Sequence, residues 1–432
     1  MKHDFSLYKK RRQELLERVN KKYADLSQES VIALFASFEN EQTAFVQESS
    51  FFYYTGLQEP GLVLTIERDG TTFLWHPNYK SHRSAWLHSV VELTDENVQR
   101  LGCDQIKLLG QEVDGYQAGP FFSADQYSDL CAYLDEKCNK KASIFTFNPE
   151  SSSKYVQQRF ILERIASFIS LKDSLIDISS LAAEMRRHKS KEEIEQLYYA
   201  VEITQLAQEA AARSIKPGVN ESEVQASLEY IFTSSGARNA FPSIVASGKN
   251  STVLHYLANN AIIEKNELVV VDIGAQYNHY CADLTRTYPA SGQFSPRQKE
   301  LYMVVLETQE YIAGIARPGY WLSNEKDQTQ SLHHLAKKYL ADRGYDQYFT
   351  HSIGHFLGLD VHDVGDYSKP LEVGDVITIE PGIYIEQEQI GIRIEDNYWV
   401  VPDGVVCLSE SLPKSVQEVE SMVAQSFEET SA

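Results

Sequence analysis

Short apolar runs alternate with longer amphipathic stretches in the first part of the chain. The apolar runs are rich in β-branched and aromatic residues, as strands typically are, and lie at Val31–Phe38, Gly61–Gly70 and Thr71–Pro77. Amphipathic stretches at Ser123–Lys137 and Ser151–Ile169 predict helices. Because helices and strands alternate, we expect residues 1–172 to form an α/β domain with a mixed or parallel sheet.

Residues 173–432 use one order of elements twice, which predicts an internal duplication. A helix at Ser190–Ser214 begins with a Ser190–Glu193 capping box and ends before Lys216-Pro217-Gly218. A second helix and two strands follow, at Ser222–Phe232, Leu268–Ala275 and Leu284–Ala290. The second half repeats this order at Pro296–Ala316, Gln328–Arg343, Val376–Ile385 and Ile390–Val400. Two such halves would place matching strands face to face.

Each half carries an acidic residue in a strand that we expect to be buried. Asp272 ends the run LVVVD, and Glu380 ends the run VITIE. A second acid follows each of them, Asp283 after 11 residues and Glu395 after 15. Buried carboxylates are rare unless they are paired or bind a metal. The four acids are therefore candidate metal ligands.

Histidines precede the two strand acids at similar distances. His255 lies 17 residues before the first strand acid, and His362 lies 18 residues before the second. The segment HSIGHFLGLDVHDVG also contains His351 and His355. His355 is flanked by glycine and large apolar residues, a tight setting that suits a metal ligand.

Four neighbouring carboxylates require positive charge. At about 4 Å and an effective dielectric constant of about 20, each like-charged pair costs about 4 kcal/mol. Two divalent ions would balance the four negative charges, and two-metal hydrolases hold their ions in such sites. Four carboxylates and one imidazole favour manganese (Mn2+), while Co2+, Zn2+ and Fe2+ are also compatible.

The overall charge excludes some partners. The chain has 61 acidic and 40 basic residues, a formal net charge of −21, so binding to nucleic acid or to an anionic membrane is not expected. The first residues lack the apolar stretch of a secretory signal. Five cysteines, in spacings that fit neither a zinc cluster nor a disulfide framework, indicate a cytoplasmic protein.

Several motifs in the second part resemble those of the pita-bread metallopeptidases, which include methionine aminopeptidase, prolidase and aminopeptidase P. The matching pieces are VDIG with ADLTRT, HSIGHFLGLDVHD, ITIEPGIYI and GIRIEDN. Earlier in the chain, YKKRRQELL and SSFFYYTGLQEPGLVLTI resemble the N-terminal domain of aminopeptidase P. The resemblance implies an α/β (α+β) protein. Residues 1–172 would form an N-terminal α/β creatinase-like domain and residues 173–432 a pseudo-twofold pita-bread catalytic domain.

The resemblance also implies a role for each candidate residue. Asp272 would bind one metal ion, Asp283 and Glu395 would bridge two ions, and His355 and Glu380 would complete the second ion's ligands. A hydroxide bridging the ions would attack the scissile carbonyl, with Glu380 managing its proton. The remaining residues would bind the substrate: His255 and His362 at the reacting carbonyl, which also makes them catalytic, and His351 and Arg393 in the pocket wall. The alternative for Arg393 is a strand arginine that pairs with a nearby acid.

The implied activity is release of the N-terminal residue from peptides with proline in the second position, by a homo-oligomer (dimer or tetramer). Two alternatives remain open. A prolidase would cleave only Xaa-Pro dipeptides, and a non-catalytic pita-bread module would bind a partner without turnover. A peptide-length series with several metals separates the first two activities, and metal analysis tests the third.

Overall fold

The computed structural model describes residues 5–40, 42–79, 81–89, 91–113, 119, 123–150 and 154–428. The chain divides into two compact units between Met185 and Arg186. The helices are α1 (Ser6–Lys22), α2 (Ser49–Thr55), α3 (Asp95–Leu101), α4 (Ser128–Asn139), α5 (Val156–Ile165), α6 (Ser179–Arg187), α7 (Lys191–Ser214), α8 (Glu221–Ser234), α9 (Pro296–Ile315), α10 (Leu332–Ala341) and α11 (Val416–Glu428). Within these described ranges, no helix is long and apolar enough to span a membrane.

The first unit contains a mixed six-stranded sheet, as the alternation of elements predicted. Its strands are β1 (Val31–Phe35), β2 (Val63–Glu67), β3 (Thr72–His76), β4 (Gln105–Leu108), β5 (Ile144–Thr146) and β6 (Leu175–Asp177), in the order β4-β3-β2-β1-β5-β6. Strand β1 is buried along its whole length, pairs antiparallel with β2 and pairs parallel with β5. Two helices start later than predicted: Asp125–Tyr127 is a 3-10 turn before α4, and α5 begins at Val156. Residues 151–153 of the second stretch lie outside the described residues.

The two halves of the second unit each begin with a capped helix. Ser190 and Glu193 form the predicted capping box of α7. Ser295 and Gln298 form the equivalent box of α9, whose first residue is proline, a residue that the start of a helix tolerates. The remaining strands are β7 (Arg238–Asn239), β8 (Ile244–Ser247), β9 (Leu268–Ile273), β10 (Ala275–Tyr277), β11 (Tyr280–Cys281), β12 (Leu284–Pro289), β13 (Val376–Ile379), β14 (Gly382–Ile385), β15 (Ile390–Arg393), β16 (Asp396–Val401) and β17 (Gly404–Cys407).

Strands of the two halves form separate antiparallel sheets, which matches the predicted duplication. One sheet has the order β12-β9-β8 and another the order β13-β16-β17. In the first half, β10 and β11 form a hairpin that follows β9 and precedes β12 in the sequence. Its two turn residues, Asn278 and His279, both have positive φ, as a tight two-residue hairpin turn requires.

The strands predicted at Val376–Ile385 and Ile390–Val400 are each interrupted in the structure. Pairing of β13 with β16 ends at Ile379 opposite Asp396, and pairing of β14 with β15 begins at Gly382 opposite Arg393. Pro381 lies in the gap and lacks the N–H that a continuous ladder would need. The interruption leaves Glu380 and Glu395 outside the regular ladders.

Candidate metal centre

One cavity in the second unit brings the predicted site residues together. Its volume is about 710 Å³. All nine candidates line it: His255, Asp272, Asp283, His351, His355, His362, Glu380, Arg393 and Glu395. Apolar side chains, among them Phe241, Leu257 and Val361, form the rest of its wall. Residues from both halves of the duplication therefore face a single space.

Main-chain and side-chain hydrogen bonds between the two halves draw the acids together. The main-chain N–H of Glu395 donates to the carbonyl of Thr285 at 3.1 Å. The Asn397 side chain accepts from the main-chain N–H of Asp283 at 3.2 Å and donates to its carbonyl at 2.6 Å. Asp283 and Glu395 come immediately before β12 and β16, so these contacts fix both acids where their strands begin.

Three candidate ligands form a compact group. One ligand atom each from Asp283, His355 and Glu395 lies within 4.8 Å of the other two. His355 Nε2 is 3.3 Å from Asp283 Oδ2 and 3.5 Å from Glu380 Oε1. His355 Nδ1 lies 3.0 Å from the Phe356 carbonyl, which can only accept. Nδ1 therefore carries a proton, and Nε2 is the nitrogen directed at the acids.

Asp272 offers one further oxygen. Its Oδ2 accepts from Arg393 Nη2 at 2.6 Å. Its Oδ1 is buried and has no hydrogen-bond partner among the described residues. A buried carboxylate oxygen without a donor is unfavourable unless a cation binds it. This orphaned atom shows that the donor set fits a bound metal.

Burial changes the proton affinity of the cluster in the metal-free protein. Burial raises the pKa of Asp283 to about 7, although its hydrogen bond with His355 opposes the change. Burial also raises the pKa of Glu380, and burial together with the charge of Asp283 raises that of Glu395 well above its usual value. For His355, burial lowers the pKa, but the Asp283 hydrogen bond and nearby acids raise it overall to about 9. The cluster therefore holds protons that a divalent cation would displace.

Arg393 connects the two ends of the acidic cluster. Besides Asp272, it donates from Nη1 to Tyr384 Oη at 2.8 Å and from Nε to Thr285 Oγ1 at 3.1 Å. Thr285 Oγ1 in turn donates to Glu395 Oε2 at 2.7 Å. The pairing with an acid is thus present, and Arg393 also lines the cavity.

The sequence left Thr285 and Tyr384 without an assigned role. Tyr384 Oη also lies 2.9 Å from His351 Nε2, and His351 Nδ1 lies 2.8 Å from the Ser352 carbonyl. A hydrogen-bond chain therefore runs from Asp272 through Arg393 and Tyr384 to His351. Thr285 and Tyr384 lie within the motifs ADLTRT and PGIYI, but only strand pairing shows what they contact.

His255 and His362 are more exposed than the acids. The His362 ring lies 4.3 Å, centroid to centroid, from the His355 ring. The segment around it is held by Arg186, which is buried and donates to Asp360 and Asp363. His255 lies in an irregular segment after the 3-10 helix at Gly248–Thr252. Both histidines are therefore available to a molecule in the cavity.

Comparison with known proteins identifies the family to which the chain belongs. The model of metallopeptidase family M24 matches residues 195–402, and that of the aminopeptidase P N-terminal domain matches residues 8–112. The Xaa-Pro aminopeptidase of Escherichia coli is 30% identical over 96% of this chain and 97% of its own length. The Xaa-Pro dipeptidase of Pyrococcus furiosus is 39% identical, over 54% of this chain and 66% of its own length. The structure of Escherichia coli aminopeptidase P in complex with substrate superposes with a TM-score of 0.80, at 28% identity, covering 99% of this chain and 100% of that one.

The chain is therefore a member of metallopeptidase family M24 with the pita-bread fold. Within that family it belongs with the Xaa-Pro aminopeptidases, also called aminopeptidase P, because both the N-terminal and the catalytic models match. The predictions of the fold, of the family and of a metal-dependent exopeptidase are confirmed.

Proposed function

We propose that this protein removes the N-terminal residue from peptides with proline in the second position. The observation that carries the proposal is the extent of the similarity. Xaa-Pro aminopeptidases align with nearly the whole chain, whereas the Pyrococcus furiosus dipeptidase aligns with about half of it. A match to the aminopeptidase P N-terminal model further supports the aminopeptidase activity.

We assign the metal ligands to Asp272, Asp283, His355, Glu380 and Glu395, which would together hold two divalent ions. Bound divalent ions polarise the scissile carbonyl and lower the pKa of water to about 7, so that hydrolysis proceeds at neutral pH. The oxygen-rich ligand set favours Mn2+ over softer ions. Glu380 is the group that we assign to accept the proton lost by the attacking water.

The remaining candidates act on the substrate. His255 and His362 are exposed to the cavity, where we assign them to hold the substrate carbonyl and stabilise its developing negative charge. His351 lines the substrate pocket and is oriented by Tyr384. Arg393 lines the same pocket, and its contact with Asp272 also fixes the orientation of that carboxylate.

Proline recognition has a simple physical basis. The bond before proline has no N–H, and the ring fixes the local chain, so an enzyme for this bond needs a shaped apolar surface instead of a hydrogen-bond acceptor. The cavity provides apolar side chains at Phe241, Leu257 and Val361 next to the polar cluster. These residues form the surface that we assign to the ring.

A second candidate activity is that of a dipeptidase, favoured by the 39% identity to the Pyrococcus furiosus enzyme. Comparing Ala-Pro, Ala-Pro-Ala and the proline-free control Ala-Ala-Ala in the presence of Mn2+, Co2+, Zn2+ or Fe2+ separates the two. We expect alanine release from Ala-Pro-Ala, with Ala-Ala-Ala unchanged. Cleavage of Ala-Pro alone would identify a dipeptidase. Fewer than about one bound ion per chain after Mn2+ loading, with no turnover, would instead favour a non-catalytic module.

Three further assignments complete the proposal. Residues 1–172 and 173–432 are the proposed domains. Because strand β6 (Leu175–Asp177) pairs with β5 in the first unit, which ends at Met185, expression of residues 1–172 beside residues 1–185 tests this boundary. A homo-oligomer (dimer or tetramer) follows from the family likeness, and light scattering measures its mass. A cytoplasmic location is supported by five cysteines that are all free thiols, and fractionation of the source cell tests it.

A further inference from the structure

Glu221 is a buried carboxylate outside the cavity lining. It is the first residue of α8 and is 0% exposed. Its Oε1 accepts from the Ser247 N–H at 2.7 Å, from Ser247 Oγ at 2.8 Å and from Asn250 Nδ2 at 3.2 Å. Its Oε2 accepts from Tyr256 Oη at 2.8 Å and from the Ala261 N–H at 2.9 Å. Among the described residues, no basic side chain pairs with it.

These five hydrogen bonds join the start, the middle and the end of one segment, residues 247–261. Within the described chain, no main-chain-to-main-chain hydrogen bond involves residues 257–260. Side chains therefore hold this part of the segment, through Tyr256 and through Asn259, which donates to the Ser243 carbonyl at 2.7 Å. Removing the carboxylate would release the segment at three points together.

The same segment carries part of the cavity wall. Leu254, His255 and Leu257 all line the cavity, and His255 directly precedes Tyr256. The His255 side chain is exposed, so its position depends on the main chain that carries it. The Tyr256 hydroxyl, bonded to Glu221, is the nearest anchor in sequence to that histidine.

The donors explain why this position requires a carboxylate. A carboxylate only accepts, whereas a glutamine side chain would place an amide group where one oxygen now lies. An amide group in place of Oε1 would face the Ser247 N–H, and in place of Oε2 it would face the Ala261 N–H. Either orientation leaves a buried main-chain donor unpaired, which strongly disfavours the present geometry.

We propose that Glu221 is a positioning residue for the peptidase reaction: its carboxylate fixes residues 247–261 so that His255 reaches the substrate. The proposal rests on the proposed function for the role of His255. It makes Glu221, located at the start of a helix and remote from every metal ligand in sequence, a determinant of turnover.

A double-mutant cycle on Ala-Pro-Ala hydrolysis tests the proposal. Glu221→Gln should lower kcat/KM about 10- to 100-fold, because a 1 Å displacement of a substrate-contacting group has effects of that order. His255→Ala alone should lower it about 10²-fold or more. Added to His255→Ala, Glu221→Gln should change kcat/KM less than about threefold, since coupled residues are not additive. Bound metal should stay at the wild-type ratio in each variant.

Glu223→Gln is the matched control. Glu223 lies two residues further along α8 and is exposed, and the Asn220 N–H at the helix start is the one donor to its carboxylate among the residues that the structure describes. The same chemical change there should leave kcat/KM unaltered. Equal losses from Glu221→Gln in the two backgrounds, or loss of metal, would show a general structural effect and overturn the proposal.

Tyr256→Phe provides a milder variant if Glu221→Gln fails to fold. It removes the hydrogen bond from Tyr256 Oη to Glu221, together with the longer contacts of that hydroxyl with Asn260, and it keeps the carboxylate. We therefore expect kcat/KM to fall about 3- to 10-fold, again only when His255 is present. Hydrogen exchange separates this proposal from the proposed function. Faster exchange confined to residues 247–261 in Glu221→Gln, which include the Ser247 and Ala261 amides bonded to the carboxylate, supports the structural anchor even if wild-type protein cleaves no Xaa-Pro peptide. Unchanged exchange there overturns the proposal whatever the substrate.

Discussion

Replacing Thr285 by valine removes one hydroxyl from behind the acidic cluster with little change of shape. Thr285 is fully buried in β12, and valine keeps both the side-chain volume and the strand preference. The change deletes the hydrogen bond to Glu395 Oε2 and the acceptor of Arg393 Nε. Among the described residues, no other hydrogen bond reaches the Glu395 carboxylate. The variant therefore leaves a buried acid without a donor.

The expected size of the effect follows from these two contacts. A hydrogen bond contributes about 0.5–1.5 kcal/mol when both groups are neutral and about 1.5–3 kcal/mol when one is charged, and an unpaired buried donor costs about 1–3 kcal/mol. The chelator-treated Thr285→Val protein should therefore be less stable by roughly 3 kcal/mol. If loss of the hydrogen bond to charged Glu395 weakens metal binding by the same free energy, 1.5–3 kcal/mol corresponds to about a 10- to 100-fold weaker metal affinity. Outer-shell substitutions at metal sites have effects of about the same size.

Thr287→Val is the control on the same strand and the same face. The Thr287 hydroxyl is also fully buried, but it donates to the Arg393 carbonyl at 3.0 Å and accepts from the Arg393 N–H at 3.1 Å. This variant should lose stability and keep its metal affinity within about threefold, because no carboxylate loses a donor. Urea unfolding of metal-free protein and calorimetric titration with Mn2+ measure both quantities. Wild-type affinity in Thr285→Val, or equal loss in Thr287→Val, would refute the reasoning.

Four further outcomes follow from the cavity. His355→Ala and Asp283→Asn should each lower the metal-to-protein ratio in elemental analysis, and full retention of metal would contradict the ligand assignment. His362→Ala should lower kcat about 10²-fold with metal retained; loss of metal would disprove its assignment to the substrate. Gly354→Ala should destabilise the protein by roughly 1–3 kcal/mol in urea, because a Cβ there would overlap the carbonyl oxygen of Thr378; an unchanged midpoint would refute this. Metal affinity should fall from pH 8 to pH 6, by at most about tenfold per pH unit for each competing proton. The reason is that Asp283, with a pKa of about 7 in the metal-free fold, gains a proton across that range. His355, with a pKa of about 9, already holds its proton throughout. An affinity that does not change with pH would contradict the proton competition.

The sequence by itself was enough to select the nine candidate residues that line the cavity. An acid at the end of an apolar strand, a second acid soon after it and a histidine before it form a local pattern, and the chain contains that pattern twice. Such local patterns follow from the periods at which apolar residues recur in strands and helices, and these periods can be read from a single sequence. The capping boxes at Ser190 and Ser295 have the same local origin, and the one predicted at Ser190 is present in the structure.

Tertiary structure decided how those residues are held. Thr285 and Glu395 are 110 residues apart in sequence, and Asp272 and Arg393 are 121 residues apart, yet each pair is hydrogen bonded. The interruption of the predicted strand at Glu380 likewise depends on which strands pair on either side of it. Such contacts are set by the register in which the two halves meet, and no residue period within either half encodes that register.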